Sequence, residues 1–227
     1  MKKAPYILLL LLCVLSGCRG RRGYPGESQP APAADSAAVF VPVFSSTSIP
    51  DSVAARMRGV SYPADAEIRL DELRYLQLSY IDFDGCPQVG EMVCNQAVAE
   101  DLVNIFRALY DARYPIRSMR LIDDFGGDDE ASMEADNTSC FNYRRKTGMK
   151  SLSKHALGLA VDVNPLENPY VRGSRVRPAG SVSFADRSRD FPHKIDRNDL
   201  CYKLFREHGF SWGGTWRSVQ DYQHFEK

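Results

Sequence analysis

Two short polar stretches, Ser153-Lys-His155 leading on to Asp162, and Asp221-Tyr-Gln-His224, limit the folds open to this chain more than its composition does. Used as one set, they require a central segment to lie against a C-terminal one. They supply two imidazoles, one carboxylate for the same cluster and a second carboxylate beside it. A catalytic zinc ion takes three protein ligands from His and carboxylate side chains and keeps a fourth position open. His155, Asp162 and His224 fit that requirement for one zinc ion per chain. Asp221, three residues before His224, is placed to accept a proton while staying off the metal.

Each residue also has an ordinary structural use. The chain has four histidines, and two of them, His193 and His208, lack any ligand context. His208 stands just before Gly209, where a side chain can help satisfy the last carbonyls of a helix. His155 differs, because the polar run Ser153-Lys-His155 passes through Gly158 into Leu159-Ala-Val161 and ends on Asp162. That reads as a loop entering a buried strand, and an acid there is costly unless something pairs with it.

The arrangement Ser153-x-His155-x6-Asp162 followed by Asp221-x-x-His224 resembles the signature of bacterial zinc D-alanyl-D-alanine carboxypeptidases and L-alanyl-D-glutamate endopeptidases. These belong to the wider LAS group of peptidoglycan-cutting metallopeptidases. Three further blocks extend the likeness: Asn137-Thr-Ser-Cys-Phe-Asn-Tyr-Arg144, Asn164-Pro-Leu-Glu-Asn-Pro-Tyr170 and Gly209-Phe-Ser-Trp-Gly-Gly-Thr-Trp216. It covers roughly Gly85 to the C-terminus, and the order and spacing of the blocks carry it rather than any one of them.

The resemblance implies that His155, Asp162 and His224 are the zinc ligands, Asp221 the catalytic base and Arg144 a donor to the scissile carbonyl oxygen. Many relatives carry Glu at the base position. Ser153 corresponds to a substrate-contacting serine, although a serine entering a loop is equally a local backbone cap. Arg144, followed by Arg145 and Lys146, also reads as part of a solvated basic turn. The implied activity is hydrolysis of peptidoglycan stem peptides by metal-activated water. The rival is a catalytically inactive peptidoglycan-binding or scaffold lipoprotein, or a zinc-stabilised interaction domain. Both rivals predict loss of the base or a ligand, yet all four residues are present. The bond cut, whether D-Ala release, D-Ala-D-Ala cleavage or L-Ala-D-Glu cleavage, stays open and depends on loops such as Gly173 to Phe191.

The N-terminus suggests where such a reaction would occur. Lys2-Lys3 precedes the apolar run Ile7 to Leu15, which is too short to span a bilayer and reads as a secretory signal. Leu15-Ser-Gly-Cys18 resembles a lipobox, which implies a signal peptide over residues 1–17 and a lipidated Cys18. Residues 18–48 read as a Gly-, Pro-, Ala- and Ser-rich tether unable to order itself, and 49–227 as the zinc peptidase domain. The expected setting is an exported lipoprotein of the cell envelope, at the outer membrane or a periplasm-facing membrane surface.

The domain reads as one α+β unit, LAS-like, with helices packed on a small, mostly antiparallel sheet. Expected helices run from Asp51 or Ser52, as N-cap, to before Gly59, from Asn95 to Arg113, and from Asn198 to His208. In the last of these Leu200, Leu204 and Phe205 are expected to point inward. Expected strands are Leu73 to Phe83, Ile116 to Ile122, Leu159 to Val163, Phe210 to Trp212 and Tyr222 to Phe225. After signal cleavage and lipidation, Cys86, Cys94, Cys140 and Cys201 remain. An even count in an exported chain favours disulfides, with Cys86–Cys94 preferred and a second bridge at Cys140. The absence of a CxxC pair argues against a structural zinc held by cysteines. With 29 basic and 29 acidic residues, nucleic acid is not an expected partner. A monomer is expected, with Lys154, Arg144, Arg172 and Arg175 as candidate contacts for substrate carboxylates and Trp212 and Trp216 as candidate cleft walls.

Overall fold

A computed structural model describes residues 40–145 and 151–227. In chain order the regular elements are β1 (Phe44–Thr47), α1 (Asp51–Met57), β2 (Leu73–Ile81), β3 (Pro87–Asn95), α2 (Ala99–Asp111), β4 (Ser118–Met119), α3 (Asp129–Glu134) and β5 (Asn137–Thr138). There follow β6 (Ala160–Asp162), β7 (Tyr170–Arg172), β8 (Arg175–Arg177), α4 (Leu200–Glu207), β9 (Ser211–Trp212), β10 (Gln220–Asp221) and β11 (His224–Glu226). This is the expected α+β class, but the strands form several small sheets rather than one. Three antiparallel sheets have the orders β1-β2-β3, β10-β7-β8 and β6-β11-β9, and β4 pairs with β5 in parallel. The signal segment and Cys18 lie outside the described residues, as does Lys146.

The β2–β3 hairpin is the scaffold. Its turn is closed by the Asp82 carboxylate, which accepts the backbone N–H of Asp84 and of Cys86 at 3.0 and 2.8 Å, and by Gly85 at φ +79°. Leu76 and Leu78 of β2, and Met92 and Cys94 of β3, are buried against Leu102, Ile105, Phe106 and Leu109 of α2. These side chains recur at three- and four-residue intervals and so share one face of the helix. The helix begins later than expected, because the Asn95 side chain accepts the Ala97 N–H at 2.9 Å and holds that segment in a turn. Strand β1, pairing Phe44–Thr47 with Leu78–Tyr75, lies within the stretch read as tether.

Other differences have local causes. Cys86, Cys94, Cys140 and Cys201 are all free thiols. Cys86 precedes the extended strand β3 and Cys94 lies near its far end, about 26 Å along the chain, whereas a disulfide needs Cα atoms about 4.4–6.8 Å apart. Burial raises the thiol pKa of Cys94, Cys140 and Cys201, so they pack as small apolar groups. The segment Ile116 to Ile122 keeps only the two-residue β4. The Asn137 side chain takes over the neighbouring backbone, accepting the Arg120 N–H at 2.8 Å and donating to the Arg120 carbonyl at 3.0 Å. Helix α1 is preceded by Pro50, with no side-chain cap. Helix α4 is capped by Asp199, which accepts the N–H of Cys201 at 2.8 Å. Phe205 and Leu204 point inward as expected, Phe205 fully buried and Leu204 partly buried against the core, joined by Cys201, whereas Leu200 lies at the surface. The stretch Tyr222 to Phe225 is broken: Tyr222 and Gln223 form a bend between β10 and β11, which belong to different sheets.

Phe205 carries the core towards the C-terminal strand, stacking on Phe225 at 4.3 Å and meeting Phe210 edge-on at 5.2 Å. The Asn164–Asn168 block is scaffolding of another kind. Asn164 accepts the Arg117 N–H at 3.0 Å, and Asn168 accepts the Ile195 N–H at 2.7 Å, both from fully buried positions. Between them, Glu167 is pushed up to about 8, by burial first and then by the charge of Asp136, whose own pKa is also raised by burial. The native protein therefore keeps a proton that the unfolded chain releases, and stability falls as pH rises from about 4.5 towards 8. Glu167→Gln should flatten the decline in melting temperature between pH 5 and pH 9, measured without metal. An unchanged slope would show that Glu167 does not carry that proton.

Candidate metal centre

His155 opens a single 3-10 turn, His155–Leu157, stopped by Gly158 at φ +66°. A Cβ at Gly158 would lie 2.5 Å from the Asn95 nitrogen and 2.9 Å from the Cys94 carbonyl carbon. Glycine thus lets the loop press on β3, where the Asn95 N–H donates to the Gly158 carbonyl at 2.8 Å. The chain then enters β6, whose register with β11 sets Asp162 directly opposite His224 and Val161 opposite Phe225. Val161 and Phe225 are fully buried in the core. Since a slip of one residue would exchange the faces of a strand, this apolar pair locks the polar pair in place.

The three side chains converge. His155 Nε2 lies 3.2 Å from Asp162 Oδ2 and 3.1 Å from His224 Nδ1, and His224 Nδ1 lies 3.0 Å from Asp162 Oδ1. Tetrahedral ligands at zinc–nitrogen and zinc–oxygen distances stand about 3.3 Å from one another, so this donor set fits a zinc ion. All three residues are buried, and each presents one donor atom to the cluster. The other ring nitrogens are held. His155 Nδ1 is 2.6 Å from the Cys140 carbonyl, and His224 Nε2 is 3.2 Å from Glu226 Oε2. Such partners fix the tautomer and aim the ligating nitrogen. Glu226 went unrecognised in the sequence, although strand alternation places it on the same face as His224, two residues on.

The electrostatics without metal follow from this packing. Burial acts to raise the Asp162 pKa, but the charge and hydrogen bond of His155, with those of His224, hold the carboxyl well below the usual range. For His224, burial acts to lower the pKa, and the hydrogen bonds to Asp162 and Glu226 outweigh it, raising it to about 10. A metal would therefore displace a proton from this imidazole.

Asp221 sits on β10 beside the triad. Gly213 packs under both segments: a Cβ there would lie 2.6 Å from the Asp221 carbonyl oxygen and 3.3 Å from His224 Cβ. This gives Gly213, the first glycine of the Gly-Gly pair in the Gly209–Trp216 block, a steric reason. The Asp221 Oδ1 atom is enclosed with no hydrogen-bond partner among the described residues. Burial pushes its carboxyl up to about 6, the opposing charges of Asp162 and the two histidines being secondary.

A cleft of about 450 Å³ gathers His155, Asp162, His224, Asp221, Arg144 and Ser153. Arg144 donates to Asp129 Oδ1 at 3.0 Å, and its Nε is buried without a partner among the described residues. Ser153 Oγ accepts the His155 N–H at 3.3 Å, and its own N–H donates to the Arg144 carbonyl at 3.0 Å, so it ties two cleft residues together through backbone. Lys154 also lines the cleft, with Nζ donating to the Lys227 backbone oxygen at 3.0 Å. The two tryptophans differ. Trp216 lines the cleft with its ring 5.3 Å from that of His224, whereas Trp212 belongs to the core and donates to the Tyr222 carbonyl at 2.8 Å. His193 stacks on Phe83 at 3.7 Å, and His208 meets Asp101 at 3.0 Å, both away from the cleft lining.

Residues 147–227 match the D-alanyl-D-alanine carboxypeptidase family. The matched segment contains the triad, Asp221 and Ser153, while Arg144 precedes it. No curated protein and no solved structure matches the chain. The segment similar to this carboxypeptidase family is thus the one that folds into β6 to β11 and carries the buried His-Asp-His cluster.

Proposed function

We propose that this protein is a zinc-dependent peptidase that hydrolyses peptidoglycan stem peptides, of the D-Ala-D-Ala carboxypeptidase or L-Ala-D-Glu endopeptidase type. The observation that carries the reading is the enclosed, unpartnered carboxylate oxygen of Asp221 beside a triad with zinc-ligand spacing, inside the family-matched segment. His155, Asp162 and His224 would hold the ion. When bound, zinc supplies a Lewis acid that polarises a carbonyl and makes a water molecule easier to deprotonate. The chain's own residues do the rest. Asp221 accepts the proton of the attacking water and returns it to the departing amine, a role suited to a carboxylate with a pKa near neutrality. Arg144, aimed into the cleft and steadied by Asp129, donates to the carbonyl oxygen as negative charge develops there. Trp216 offers an apolar wall against the peptide.

The lipobox-like Cys18 supports an envelope location, and we propose a lipid-anchored enzyme facing the cell wall. The function is tested by digesting defined muropeptides with zinc-loaded and chelator-treated protein and weighing the products by mass spectrometry. Cleavage at one stem-peptide bond, abolished by chelation and restored by zinc, is expected. Intact muropeptides in the presence of zinc-saturated, folded protein would favour the binding-lipoprotein reading.

A further inference from the structure

The three-stranded sheet β10-β7-β8 forms one wall of the cleft. Its register sets Tyr170 opposite Asp221 on one side and Arg177 on the other, and sets Arg172 opposite Arg175. Side chains directly opposite one another, and those two apart along a strand, share a face. Asp221, Tyr170, Arg177, Arg172 and Arg175 therefore project from the same face, and all five line the cleft. Val171 and Val176, on the other face, do not.

Five cations line this cleft, and three of them have partners among the described residues. Arg144 bonds to Asp129 at 3.0 Å, Arg177 to Glu130 at 2.6 Å, and Lys154 to the Lys227 backbone oxygen at 3.0 Å. Arg172 and Arg175 have neither an ion pair nor a hydrogen bond among the described residues, and both are exposed. Like charges facing each other across an antiparallel pair destabilise it. Here the pair is nonetheless mounted on a tight two-residue turn, Gly173-Ser174, with Gly173 at φ +58°. The arginines start two residues, about 7 Å, along β7 from the position opposite Asp221. An extended peptide advances about 3.3–3.6 Å per residue, so a group one or two residues from the cleaved bond falls within their reach.

We propose that Arg172 and Arg175 form a carboxylate-recognition subsite that selects peptides carrying a free carboxylate within two residues of the scissile bond. Guanidinium groups grip carboxylates through paired, charge-assisted hydrogen bonds. The inference rests on the peptidase reading and sharpens its substrate class. A stem peptide offers two such groups, the α-carboxylate of a γ-linked D-Glu and the C-terminal carboxylate of D-Ala.

The test reads binding, not cleavage. Zinc-loaded Asp221→Asn protein is titrated calorimetrically with L-Ala-γ-D-Glu-L-Lys-D-Ala-D-Ala, with its C-terminal amide, and with its D-isoglutamine analogue. One of the two amidated peptides should bind about tenfold more weakly, and which one identifies the carboxylate held. Adding Arg172→Gln and Arg175→Gln should reduce that discrimination to less than about threefold, while zinc uptake stays at the parent value and the melting temperature does not fall. Replacing both arginines by Lys instead should preserve part of it, and serves if the Gln pair fails to fold. Discrimination that persists in the Gln pair would place the carboxylate on the metal or elsewhere and overturn the proposal, as would equal binding of all three peptides by the parent. If muropeptides are never cleaved but arginine-dependent discrimination is measured, the subsite stands and only the peptidase reading falls.

Discussion

Asp221→Asn protein binds zinc as the wild type does and hydrolyses a defined muropeptide about 10²–10⁴-fold more slowly. The substitution keeps shape and volume and removes only the ability to accept a proton. Asp221 stands outside the set of three mutually close donors, so metal affinity does not depend on it. Its Oδ1 is enclosed and without a partner among the described residues, and burial brings its pKa up to about 6, so in a neutral solution the group is largely ionised yet readily protonated. An asparagine offers no comparable acceptor. The check is zinc stoichiometry by atomic absorption alongside product formation by mass spectrometry. Undiminished turnover would move the base to another residue, and loss of zinc would make Asp221 a ligand.

The parts of this site that sequence made legible are those where a side chain is out of place in any ordinary role. His155 precedes a loop-to-strand transition, and Asp162 ends an apolar run; a buried acid there needs cations, and the fold provides two imidazoles. The supporting shell was harder to read. Cys140 contributes a backbone carbonyl, which no side-chain pattern announces. Asp129 and Glu226 look like ordinary surface acids until tertiary contacts set them against Arg144 and His224. The sheet divisions were obscured by short strands. Tyr222-Gln223 reads as part of one strand, whereas close packing of Asp221 and His224 over Gly213 forces the chain to change sheets between them. The disulfide expectation failed on geometry, because even cysteine counts carry no distance and the chain between Cys86 and Cys94 is extended as β3. Helix α2 was easy for the opposite reason: five buried apolar residues on one face against a nine-residue strand leave few alternatives.

Asp162→Asn should abolish tight zinc binding, with Glu226→Gln giving an intermediate loss. Asp162 contributes the one anionic donor of the triad, and it touches both imidazoles, so its replacement leaves two neutral nitrogens to hold a dication. Glu226 acts at one remove, orienting the His224 ring through Nε2. Loss of such an outer partner typically costs about 10–100-fold in metal affinity, and Asp162→Asn should exceed it. Chelator competition measures the affinities directly. Thermal melting supplies an independent reading, since zinc at about 1,000 times its Kd stabilises a native site by about 4.1 kcal/mol, an increment Asp162→Asn should lack. Metal-free melting adds a discriminating control. Without zinc, Asp162 is the anionic partner of a His224 whose pKa is raised to about 10, so Asp162→Asn also weakens the apoprotein near neutral pH. If Asp162→Asn weakens only the apoprotein and zinc shifts neither protein's melting, the triad is a buried ion-pair cluster and not a metal centre.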